Sequence, residues 1–235
     1  MKRAIFCLAL LVSGLATATT GGGKALPSMT HPSWVRAYDR ASEAVAKQDF
    51  NKALAFLNGG IYDKGVTISL DTSSCPGQVD KVSAAAKRAL AAWKKVLGTD
   101  CPVRLLPNDA QADLSLTVVK SIPQEGDALG LIELKKSYAW SAGSYRHSSS
   151  GKINILTSYE GSKLDDDELT EVICHEMGHL LGLADLDHTG FLMGPLVRHE
   201  SVVGPTQEEG RAVIAIRQRF REMIDDIHQT ARRSA

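Results

Sequence analysis

One stretch, residues 174–185, constrains the fold of this chain more than any other: His175, Glu176 and His179, followed by Gly182 and Asp185. Two histidines four positions apart share one face of an α-helix about a turn apart, close enough to hold one metal ion. A glutamate directly after the first can reach a water on that ion. Gly182 and Asp185 extend the pattern to H-E-x-x-H-x-x-G-x-x-D. Requiring those two further positions lowers the chance rate of the motif about a hundredfold.

The flanks of the motif carry helix-start and helix-stop chemistry. Asp165 can cap the helix with Glu168 three positions on, Leu164 and Leu169 stand at staple spacing, and Asp166 and Asp167 suit the positive helix end. These acids lack the ligand spacing of a known calcium loop and read as a helix start. Leu169, Val172, Ile173, Leu180 and Leu181 supply the buried flank, and Gly182 can end the helix in a left-handed turn. Cys174 points about 100° away from the neighbouring histidine and reads as a small buried apolar residue.

The chain has 235 residues, enough for one full-sized core with a small appendage. Lysine plus arginine and aspartate plus glutamate each number 27, so no global field draws it to nucleic acid or an anionic membrane. Lys2 and Arg3 precede an apolar run over 4–15, and Ala16, Thr17 and Ala18 are the small residues a signal peptidase accepts. Residues 1–18 are therefore expected to be a signal peptide cleaved after Ala18, making the protein secreted or periplasmic. The run is too short for a transmembrane segment. Cys75 and Cys101 flank a helical pattern of about twenty residues, which holds its ends roughly 30 Å apart, and a disulfide needs Cα atoms within about 7 Å. A bridge between them is disfavoured.

Residues 19–30, rich in glycine and threonine, read as a flexible leader. Trp34, Tyr38, Ala41 and Val45, then Phe50, Ala53, Leu54 and Leu57, recur at helical spacing, so 31–60 is a helical hairpin. It is either packed on the main domain or removed as a propeptide, and Asn58, Gly59 and Gly60 mark its boundary. In the main domain, 61–235, strands are expected at 66–70, 103–106, 112–119 and 152–156, with a long helix from Val79 to Leu97 whose β-helix-β order favours parallel pairing. One strand is expected within 122–150, and a polar loop with a solvated His147. Thr206 and Glu209 cap a last helix whose apolar face is Val213, Ile216, Phe220, Met223, Ile224 and Ile227. His31 and His199 read as surface residues. The fold class is α/β (α+β): a twisted mixed sheet with an active-site helix, a C-terminal helix and the N-terminal hairpin.

The motif, with Met193 between Leu192 and Pro195 downstream, resembles the metzincin zinc peptidases, most nearly the matrixin branch, whose H-E-x-x-H-x-x-G-x-x-H/D motif is followed by a methionine turn. The expected element order over 65–228 runs as in that fold. The resemblance implies a zinc metalloendopeptidase in which Zn2+ is held by His175, His179 and Asp185, water takes the fourth position, Glu176 is the general base and Met193 packs beneath the metal. Asp185 stands where most members have histidine. Snapalysin-type peptidases share the aspartate, which reduces the net charge of the site, and on the residues alone His188 competes for the place.

The resemblance also implies a peptide or protein substrate, and the chain is expected to be a monomer. The substrate would pair with an edge strand within 129–145, and the loop 196–204 would build the specificity pocket. A cysteine-switch propeptide is not evident, because Cys75 falls after the first strand of the catalytic region. The alternative is a non-proteolytic metzincin-like module that binds peptides or a protein through the cleft. Retention of Glu176 argues against it, since a binder has no need of a general base.

Overall fold

The computed structural model describes residues 25–122, 128–141 and 143–233. The expected signal peptide and the first part of the leader lie outside the described residues. Helices α1 (Pro32–Ala46) and α2 (Phe50–Ile61) form the expected hairpin. Pro32 opens α1 where its missing N–H has no partner to lose, and the Asp49 carboxylate caps α2 by accepting from the Lys52 N–H at 3.2 Å.

Then come β1 (Val66–Leu70), α3 (Val79–Leu97), β2 (Val103–Leu105), β3 (Leu114–Val118), β4 (Gly130–Ser141) and β5 (Ser144–Ile155). A short ribbon, β6 (Ser158–Tyr159) with β7 (Ser162–Lys163), leads into α4 (Asp166–Leu180), and α5 (Gln207–Arg233) ends the fold. Five strands form one mixed sheet in the order β2-β1-β3-β5-β4. The β1-α3-β2 unit pairs in parallel as its element order requires, and only β4 runs antiparallel. β4 is thus an edge strand, and the motif helix α4 packs between α3 and the β4 end of the sheet.

Residues 122–150 depart from expectation. They contribute not one strand and a loop but most of a long ribbon, β4 with β5, paired from Gly130 opposite Ile155 to Ser141 opposite Ser144. Ser148, Ser149 and Ser150 lie inside β5. The serines stand opposite Ser137, Lys136 and Lys135 of β4, so the run is held by backbone pairing and carries no apolar alternation to mark it as a strand. His147 is likewise in the strand, its Nε2 2.7 Å from Asp63 Oδ1, rather than in a solvated loop.

A single hydrophobic core joins Trp34 and Leu57 of the hairpin to Ile68 and Ile153 of the sheet, Trp93 of α3, Ile173 of α4 and Phe220 of α5. Gly59 and Gly60 lie inside α2, where a side chain would collide: a Cβ on Gly60 would meet the Phe220 ring, and one on Gly59 would come within 2.8 Å of Tyr138. The glycine pair read as a boundary stands in the last turn of α2 and also allows close packing. Arg217 closes the end of α2 by donating to the Ile61 carbonyl at 2.7 Å. Cys75, Cys101 and Cys174 are free thiols. Among the described residues no helix is long and apolar enough to cross a membrane.

Candidate metal centre

The motif helix starts as its sequence dictates. Asp165 accepts from the backbone N–H groups of Asp167 at 2.9 Å and Glu168 at 2.8 Å, and the Glu168 carboxylate accepts from the Asp165 N–H at 2.9 Å, completing a capping box. Asp166 and Asp167 pair with Lys81 and Arg88 of α3, which accounts for the acidic run without an ion. Trp93 of α3 donates its indole N–H to the Cys174 carbonyl at 2.9 Å, and the Cys174 side chain is fully buried. Helix α4 is held on every side, so the side chains it projects are held with it.

His175 and His179 meet edge to face, with ring centroids 4.8 Å apart. His175 Nδ1 lies 2.7 Å from the Leu192 carbonyl and His179 Nδ1 3.0 Å from that of Leu183. Carbonyl oxygens only accept, so both Nδ1 atoms carry the proton and both Nε2 atoms turn a lone pair toward a common centre. Asp185 Oδ1 lies 3.1 Å from His175 Nε2 and 3.4 Å from His179 Nε2. Three electron-rich atoms this close repel one another unless a cation lies among them. The edge of a tetrahedron with metal–ligand bonds of 2.0–2.1 Å is about 3.3 Å, close to the two distances from Asp185 to the histidines. Burial disfavours the Asp185 carboxylate, but hydrogen bonds from the two rings in their protonated form outweigh it and lower its pKa; a metal ion would take the place of those protons. Asp187 and His188 are exposed; of the candidates, Asp185 is the one that touches both histidines.

Glu176 is buried beside this centre, one of its oxygens within 4.8 Å of a ring nitrogen of each histidine. The first residue of β4 stands against it: a Cβ on Gly130 would collide with Glu176 Oε1. Beneath α4 lies Met193, whose sulfur occupies the space a side chain at Gly178 would need. Its backbone is pinned from two sides, its carbonyl accepting from Leu186 N–H at 2.8 Å and its N–H donating to Glu209 at 2.7 Å. Glu209 is the partner of Thr206 in the cap of α5, so the last helix anchors the turn beneath the site. Gly182 turns the chain with φ of 104°, and a Cβ there would come within 2.9 Å of the Trp34 ring. Glycine is required there by both conformation and space.

Three features of the site have no sequence signal, because each arises when distant segments meet. Met29 and Thr30, assigned to a flexible leader, instead pair with the chain after the motif: Ala184 N–H donates to the Met29 carbonyl at 2.9 Å, and Thr30 bridges Leu183. His31, expected at the surface, donates its backbone N–H to the Gly182 carbonyl at 2.7 Å and sets its ring 5.6 Å from that of His179. Burial, and then the His179 ring, lower the His31 pKa to about 4. Lys136 of β4 runs under the hairpin, its Nζ 4.3 Å from the centre of the Tyr62 ring and 5.0 Å from that of Trp34, and donates to the Gly59 carbonyl at 3.3 Å. Burial lowers its pKa to about 7.

A cleft of about 1010 Å³ lies between α1 and β4, bordered by Glu176 and His179. That is the volume of a site for a sizeable ligand. Comparison of the sequence with family models and with curated proteins finds no match.

Proposed function

We propose that this chain is a zinc-dependent endopeptidase of metzincin, matrixin-like type, secreted or periplasmic, that hydrolyses peptide bonds with Glu176 as general base. The observation that carries this reading is the convergence of His175 Nε2, His179 Nε2 and Asp185 Oδ1 at distances of 3.1 and 3.4 Å, with Glu176 beside them at the border of a peptide-sized cleft. His175, His179 and Asp185 would hold the zinc. When bound, the ion supplies Lewis acidity, making an attacking water more acidic and polarising the scissile carbonyl.

The chain's own residues do the rest. The Leu192 and Leu183 carbonyls fix the histidine tautomers, so both imidazoles bind as neutral donors. Glu176 takes the proton that the attacking water gives up and returns it to the amide nitrogen as the C–N bond breaks, so each turnover leaves the carboxylate as it began. Gly130 leaves room for the carboxylate where the edge strand begins. The outer side of β4 carries no further strand among the described residues, so an extended substrate can add to it by backbone pairing.

Digestion of casein and a peptide library by the full zinc-loaded chain tests this reading, with and without a chelator. Glu176→Gln is expected to lose activity by roughly a hundred- to ten-thousand-fold while retaining its zinc. Wild type that cleaves nothing, or a Glu176→Gln variant that cleaves as well as wild type, overturns it.

A further inference from the structure

The lining of the cleft carries more cations than carboxylates. Arg36 and Arg40 of α1, Lys135 of β4 and Lys152 of β5 all border the cleft, and none of the four forms an ion pair among the described residues. The carboxylates on the same lining are Glu133, which accepts a hydrogen bond from Asn154, and Glu176, which belongs to the metal centre. Because the chain as a whole has a formal net charge of zero, this positive field is local to the cleft.

The geometry adds a spacing. Helix α1 and strand β4 flank the cleft together, from His31 and Gly130 near the metal centre to Arg40 and Tyr138 away from it. Arg36 and Arg40 are one helical turn apart, a rise of about 6 Å. Side chains on one face of an extended peptide repeat at roughly 6.6 Å. Two acidic residues at alternate positions of such a peptide therefore match the arginine pair, and partial exclusion of water strengthens the attraction.

We infer that the cleft selects extended peptides with acidic side chains at alternate positions, read by Arg36 and Arg40 of α1. The inference deepens the peptidase reading and rests on it only for the cleavage step, because recognition is measurable without turnover.

The test uses the full zinc-loaded Glu176→Gln chain and fluorescein-labelled dodecapeptides carrying Asp, Asn or Lys at three alternate central positions, with affinity read by anisotropy. The Asp peptide is expected to bind about tenfold more tightly than the Asn peptide at low salt, and the advantage to shrink as NaCl rises from roughly 20 to 300 mM. Adding Arg36→Glu and Arg40→Glu is expected to abolish the advantage or pass it to the Lys peptide. Equal affinity for the Asp and Asn peptides at low salt overturns the inference. So does an Asp preference that survives the double charge reversal in a chain with unchanged circular dichroism. Should the reversal impair folding, the salt series on the parent chain decides alone. Wild type that binds and cleaves the Asp and Asn peptides equally overturns the inference and leaves the peptidase standing. Preferential binding of the Asp peptide without cleavage supports the inference and overturns the peptidase.

Discussion

At the scale of single residues, the site turns on which group completes the donor set. Asp185 sits against both histidines, whereas His188 is exposed. Asp185→Ala is therefore expected to weaken zinc binding by more than the ten- to hundredfold that changes behind the ligands cost, and His188→Ala to leave it within about twofold. Competition with a chromophoric chelator measures both, and equal losses would remove Asp185 from the site. Much of this centre could be read in advance, because histidine spacing, capping box and turn glycine are local rules that hold within a few residues. The role of Gly130 could not. Nothing in its neighbourhood along the chain says that Glu176, far away in sequence, will need the space a side chain would fill.

Among elements, helices were the more readable for the same reason. The faces of α3 and α5 recur within one helix, and their residues Val82, Trp93, Val213 and Phe220 are all buried as the periodicity requires. The β4–β5 ribbon hid its nature because most of its outer half is polar and held by backbone pairing, a property of two segments together. The hairpin packs on this ribbon and on α5. Phe220 is the pivot: fully buried, with its ring 5.4 Å from Trp34 and 5.3 Å from Tyr38, it fills the hollow left by Gly60. Phe220→Ala is expected to cost about 3–5 kcal/mol of stability, read as a lower urea midpoint. A loss below about 1 kcal/mol would mean that the hairpin does not depend on this contact.

For the molecule as a whole, the half-buried Lys136 beneath the hairpin ties stability to pH. Its pKa in the fold is about 7 against an ordinary value of 10.5, so between these limits the unfolded chain holds a proton that the folded one has released. Stability should therefore rise with pH from about 7 toward about 10. Below 7 both states are protonated and the penalty of burying the charge is constant and complete. Lys136→Met, neutral and of similar length, should remove that rise, as urea midpoints at about pH 6, 8 and 10 would reveal. Coincident pH profiles for the two proteins would refute the linkage. The pairing of Met29 and Thr30 with Leu183 and Ala184 has a temporal side as well. It closes a loop over more than half the chain, and such contacts form late because their entropy must be met before the gain arrives. Half-made chains thus lack the strap beside the turn that carries Asp185, and assembly of the site waits until both ends of the fold have come together.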